Sequence, residues 1–226
     1  MTTVTEALLA RISTRAFLPT PVSESTLRHL LDTARWSPSG GNTQPWKVIV
    51  VAGSERDAVI SAAKRGQAAN PLGEAGAYPL YPADLWEPHR SRRYNLGEEM
   101  YELLGIGRDN KAGRFAHLAR NYEFFGAPVG IFFVIDGRMG HGQWAHLGMF
   151  MQSLALVATE SGLATCFQEA WGMVRESLKA HFGLADTEVL YCGMALGYAD
   201  PDAPVNRLRS TRAEVDDFAS FRGLPE

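Results

Sequence analysis

Three polar clusters in this chain carry residue types suited to holding a charged ligand. Arg11-Ile12-Ser13-Thr14-Arg15 stands just before Phe17, and Arg207-Leu208-Arg209-Ser210-Thr211-Arg212 stands near the other end. Arginine forks and hydroxyls match phosphate oxygens, so the two clusters together could neutralise one phosphate. Taken singly, each arginine reads as a surface or salt-bridging residue worth at most about 1 kcal/mol. The third cluster, Ser37-Pro38-Ser39-Gly40-Gly41-Asn42-Thr43-Gln44-Pro45, is longer than a simple turn requires. The amides of Asn42 and Gln44 could read the polar edge of a planar ring.

Familiar catalytic patterns are missing. There is no GxSxG, no GxxxxGK[ST] and no HExxH, and the Gly-rich runs Ser39-Gly40-Gly41 and Gly137 to Gly142 lack the strand–GxGxxG–helix context of a dinucleotide fold. His141 and His146 are five apart and miss the spacing that sets two metal ligands on one helical face. Cys166 and Cys192 fit neither a CxxC nor a disulfide framework and read as reduced, partly buried thiols.

The elements that must position these clusters follow from periodicity. Ser23 can cap a helix whose apolar residues Leu27, Leu30, Leu31 and Ala34 form one face, and that helix runs into the long loop. Strands are expected at Lys47 to Ala52, Val129 to Ile135, Leu163 to Phe167 and Val189 to Leu196, and helices at Glu55 to Arg65, Leu96 to Leu104, Gly113 to Phe125 and Val174 to Phe182. Trp144 to Thr159 is apolar on nearly every face, which predicts burial all round, in the core or at a subunit interface. Between about residues 66 and 121 runs a Gly-, Pro- and aromatic-rich excursion with helices at its end. It is the natural candidate to shape a pocket, through Arg92, Arg93 and Tyr94; Phe124 either walls that pocket or packs the core.

Composition sets the outer bounds. The 226 residues, 46% apolar and 21% charged, describe an ordinary globular protein able to bury a sizeable core. A net charge of −3 provides no general basic face, so neither nucleic acid nor an anionic membrane is an expected partner. No segment offers the ~18 uninterrupted apolar residues of a membrane span, and the chain is read as cytoplasmic. With no repeat and no polar linker, one α+β domain over residues 1–226 is expected.

RISTRAF, ARWSPSGGNTQPW, SGLATCFQEAW and NRLRSTR resemble, in order and spacing, the nitroreductase family of FMN-dependent oxidoreductases, over nearly the whole chain. The resemblance implies a mostly antiparallel sheet flanked by helices and an intertwined homodimer with FMN at its interface. By the same resemblance Arg11, Arg209 and Arg212 contact the phosphate, while Ser13 and Arg15 contact the pyrimidine edge. Pro38, Ser39, Gly40, Asn42 and Gln44 are the segment a second subunit contributes, and Glu169 and Ala170 offer backbone N–H groups to the ring. Ile12 replaces a second basic residue often found after the first arginine, and Gly40-Gly41 replaces a Ser-Gly step. The implied chemistry is ping-pong transfer of hydride from NADPH or NADH through the flavin to a nitroaromatic compound or a quinone, with no catalytic side chain. Alternatives within the fold are an ene-reductase, a reductive dehalogenase or a flavin-destroying oxygenase; a non-catalytic flavin-binding protein is a further one.

Overall fold

Every residue of VGIFFVI is buried in strand β2, Val129–Asp136, because layers cover both faces of the sheet. Around it lie β1, Lys47–Ala52, β3, Ala164–Gln168, and β4, Glu188–Gly197, in the order β1-β2-β4-β3 with every neighbouring pair antiparallel. The structure, a computed structural model, describes residues 2–74 and 78–223. Residues 75–77 of the expected excursion, and the ends of the expected 1–226 domain, lie outside the described residues.

Alternation along β2 separates two cores. Ile131, Phe133 and Ile135 pack with Leu27, Leu30 and Ala34 of helix α2, Glu24–Ala34, and with Leu147, Phe150 and Leu154 of helix α6, His141–Glu160. Phe132 points the other way, into a cluster with Val59, Ala62 and Ala63 of α3, Gly53–Ala69, Leu178 of α7, Arg175–Phe182, and Trp171. Ser23 caps α2 by accepting from the Thr26 N–H at 3.1 Å, and Gly183 ends α7 in the left-handed region at φ 61°.

The periodicity reading needs three corrections. Helix α1, Val4–Ala10, was not expected. Helix α4 spans His89–Leu103 and so takes in Arg92, Arg93 and Tyr94 ahead of the expected start at Leu96. Helix α5, Lys111–Ala119, stops six residues before Phe125 because Phe124 and Phe125 adopt positive φ (52° and 54°) in the 3-10 turn that follows, which swings both rings into the core. Phe124 has no exposed surface and lies against Phe132 and Trp171, so it packs the core and does not wall a pocket. Within one chain, helix α6 buries Leu147, Phe150, Met151 and Leu154 and leaves Ala145, Gly148 and Met149 exposed.

The free edge of β3 is covered by the N-terminal segment. Ser13 bridges Thr165 in parallel, and the Thr14 N–H donates to the Thr165 carbonyl at 3.0 Å. A bulge in β4 leaves Tyr191 unpaired between Leu190 and Cys192, which re-aims that side chain out of the ladder. Among the described residues no helix is long and apolar enough to cross a membrane.

Gly193 and Gly130 admit Trp171 and Phe124 so closely that a methyl group at either glycine would overlap the facing ring. Gly193→Ala is expected to cost about 1–3 kcal/mol through this overlap. At roughly 2–4 °C per kcal/mol the thermal midpoint falls by several degrees, read by a circular-dichroism melt; an unchanged midpoint contradicts the packing described.

Candidate functional site

The two basic clusters meet through Asn206. Its Oδ1 accepts the Arg15 N–H at 2.8 Å, and its Nδ2 donates to the Ala16 carbonyl at 2.8 Å and the Asp200 carbonyl at 2.9 Å. One side chain thereby ties the segment on the edge of β3 to the segment that carries Arg209 and Arg212. Asn206 was not singled out in the sequence; its place at the head of NRLRSTR, directly before the second arginine cluster, was the available signal.

The result is a cavity of about 230 Å³ walled by Arg11, Ser13, Arg15, Arg209, Ser210 and Arg212. Among the described residues none of these four arginines forms an ion pair. Their hydrogen bonds go to backbone and hydroxyl oxygens instead: Arg15 to the Ser13 carbonyl at 3.2 Å, Arg209 to the Ala10 carbonyl at 3.4 Å, and Arg212 to Ser210 Oγ at 2.6 Å. Burial, and then the nearby Arg212, push the Arg11 guanidinium below the usual arginine range. Arg11, Arg209 and Arg212 gathered without an acid suit a doubly charged phosphate, with Arg15 on the same cavity wall, so the residues fit a flavin mononucleotide.

Glu169 and Ala170 open a 3-10 turn, Glu169–Val174, directly after β3. Amide N–H groups at the start of such a turn have no partner within it and are free to donate outward. The segment is held by a network the sequence did not reveal. Buried Gln168 donates to the Asn121 carbonyl at 2.7 Å and accepts from Trp171 Nε1 at 3.2 Å, and the Tyr122 hydroxyl donates to the Ala170 carbonyl at 3.0 Å. Glu169 and Ala170 then face a cavity of about 1030 Å³ that Tyr101, Phe115 and Tyr122 also line. Desolvation holds the Glu169 carboxyl above the usual carboxylate range.

The loop from Pro38 to Gln44 stands apart. Ser39 Oγ accepts the Gln44 N–H at 3.0 Å, and the Gly40 N–H donates to His146 Nδ1 at 3.4 Å, so the loop rests on the start of α6. Pro38, Gly40, Asn42 and Gln44 are exposed, Gly41, Asn42 and Gln44 have positive φ, and none of the loop walls the arginine cavity or the large one. Within one chain, therefore, the structure joins Arg11, Ser13, Arg15, Arg209 and Arg212, and separately Glu169 and Ala170, but not the loop.

The excursion supplies the roof of the large cavity. Arg92 walls neither cavity; Arg93 lines the large one, with its guanidinium 4.2 Å from the centroid of the Tyr81 ring. Tyr94 lines a neighbouring cavity of about 890 Å³, shared with Arg93 and Glu98. Buried His117 of α5 lies between Tyr101 and Phe125, and desolvation, with Arg120 and Arg15 adding to it, lowers its pKa to about 4, so the ring is neutral at pH 7. Both cysteines are buried and free, and burial raises both thiols, Cys166 to about 11, which makes them poor nucleophiles.

A sheet whose edge carries a carboxylate-free arginine cradle, beside a large aromatic-lined cavity, defines a binder of a phosphorylated planar cofactor. The chain belongs to the nitroreductase family, whose model matches residues 8–198. It is 38% identical over 218 residues to a 4-nitrobenzoate reductase of Pseudomonas putida, covering 95% of this chain and 93% of that one. It is 34% identical to a nitrobenzene nitroreductase of Ectopseudomonas oleovorans, covering 93% of each. Among solved structures, the FMN and NADPH-dependent nitroreductase NfnB from Sphigopyxis sp. strain HMH superposes with a TM-score of 0.95 at 42% identity, covering 98% of this chain and 100% of that one. NfnB of Mycobacterium smegmatis, solved in complex with NADPH, gives 0.90 at 29% identity, covering 96% of each.

The roof depends on one carboxylate. Glu98 of α4 accepts from Arg114 of α5 at 2.7 Å and from Arg108 at 2.7 Å, and these hydrogen bonds hold its pKa down to about 2. Because the folded value lies below the unfolded ~4.3, this contribution is complete above about pH 5 and is lost as the pH falls toward 2. At neutral pH, Glu98→Gln is expected to raise amide hydrogen exchange across residues 89–119 while β2 stays protected. Equal exchange in both proteins counts against the clamp.

Proposed function

We propose that this chain is an FMN-dependent oxidoreductase that takes reducing equivalents from NADPH or NADH and reduces nitroaromatic compounds, with quinones as further acceptors. The observation that carries the reading is the cavity of Arg11, Arg15, Arg209 and Arg212 with no acidic partner, in a chain of this family. The names of its relatives and structural neighbours supply the substrate class and the cofactor pair.

Arg11, Arg209 and Arg212 hold the phosphate by charge-assisted hydrogen bonds. Ser13 and Arg15 face the pyrimidine edge, where a cation favours the reduced, negatively charged ring. The Glu169 and Ala170 amides would donate to the ring at N5 and the C4 carbonyl, held from behind by Gln168 and Tyr122. Bound FMN supplies the hydride chemistry, so acceptor choice falls to pocket shape and electron affinity.

One domain carries all of this, and two copies complete it. Ala145, Gly148 and Met149 of α6 are exposed, as are Val4, Leu9 and Trp36, each at least 72%, and these apolar groups are available to an interface. A second copy covers these faces and brings its Pro38–Gln44 loop to the ring, which accounts for a loop that does not reach the cradle of its own chain. The two free, buried thiols suit a reducing cytoplasm.

Two measurements test the reading. Anaerobic visible spectra of the purified protein are expected to show oxidised flavin that bleaches with one equivalent of NADPH and returns on adding a nitroarene; a protein that stays colourless and takes up no FMN overturns it. In apoprotein, Arg212→Ala combined with Arg11→Ala is expected to lower the ratio of FMN to riboflavin affinity at least tenfold, because riboflavin lacks the phosphate. A ratio that does not move places the phosphate elsewhere.

A further inference from the structure

The large cavity is aromatic and apolar over most of its wall, through Leu80, Met100, Tyr101, Phe115, Tyr122 and Met173, and its charged residues are Arg93 and Glu169. Among the described residues Arg93 makes no ion pair, whereas nearby Arg90 is spent on Glu87, and Arg108 and Arg114 on Glu98. It stacks on the face of Tyr81, 4.2 Å from ring centroid to guanidinium carbon. Stacking localises the guanidinium while leaving its edge, with its fork of N–H donors, unused.

We propose that Arg93 is the anion subsite of the acceptor pocket and that the preferred acceptors are nitroarenes bearing a carboxylate on the ring. This rests on the reading of the pocket as a nitroarene site and deepens it. A planar acid entering the cavity meets one cation, Arg93, and one carboxyl, Glu169. The carboxylate is drawn to the guanidinium fork and turned away from Glu169, which leaves the electron-poor nitro end for the wall formed by the Glu169 and Ala170 amides. Arg93 therefore sets orientation as well as affinity. An uncharged nitroarene draws on the aromatic wall alone.

The same cation could instead meet a phosphate of the nicotinamide nucleotide, and the test separates the two. FMN-loaded wild type, Arg93→Met and Arg93→Lys are compared with benzoate, a redox-inert acid, by calorimetry. Specificity is read as kcat/KM for 4-nitrobenzoate divided by that for nitrobenzene, with NADPH as donor. The expected outcome for Arg93→Met is a benzoate Kd raised about tenfold and a specificity ratio lowered about tenfold, equivalent to ~1.4 kcal/mol, with Arg93→Lys recovering part of both. The proposal is overturned if benzoate binding and the ratio do not move, if Arg93→Lys is no better than Arg93→Met, or if the main effect is a higher KM for NADPH. Benzoate binding needs no turnover. It therefore judges Arg93 even where wild type reduces neither nitroarene, an outcome that would count against the nitroarene reading itself.

Discussion

Gathering four guanidinium groups around one cavity with no carboxylate among them is unfavourable, and much of the architecture around the sheet edge exists to enforce it. The Thr14 amide is locked to β3 through Thr165, and the three hydrogen bonds of Asn206 bring the later segment alongside. Neither contact involves a charge. The electrostatic strain is carried by neutral backbone and amide groups, which keeps the arginines free for a ligand. A single aspartate in the same place would relieve the repulsion and spoil the cradle.

The sheet itself was legible because its strands are short apolar runs bounded by turn formers, most plainly β2, whose burial on both faces leaves such a run little else to be. Lys47 to Ala52 and Val129 to Ile135 read directly. Helix ends were harder. Thr3-x-x-Glu6 is a capping box whose two hydrogen bonds open α1, but the helix it starts is one short turn-pair with Val4, Leu8 and Leu9 exposed, so no buried face announced it. Phe124 and Phe125 defeated the helical reading for a different reason. Their left-handed backbone turns Phe124 onto Gly130, Phe132 and Trp171, and contacts with Trp171, 47 residues further along the chain, leave no local signal.

The basic clusters and the Gln168–Trp171 region were likewise visible as motifs, and the structure does bring Arg11 and Arg212 to one cavity. What could not be read was second-order: that Gln168 and Tyr122 hold the Glu169–Ala170 segment, or that Arg93 and not Arg92 lines the large cavity. Adjacent arginines on a helix differ by about 100° in direction, and only the packing of α4 decides which points inward. Burial of Phe124 removed one expected wall residue, and Tyr101, Phe115 and Tyr122 stand in its place.

The cradle draws on residues from opposite ends of the chain, and the strand that seats the first of them, β3, is itself completed by pairing with the later β4. No early fragment can hold a phosphate. Contacts of such high sequence separation form late, after loop-closure entropy has been spent. A ligand that needs both ends of the chain in place binds the folded state over the unfolded one, and so adds to stability by mass action.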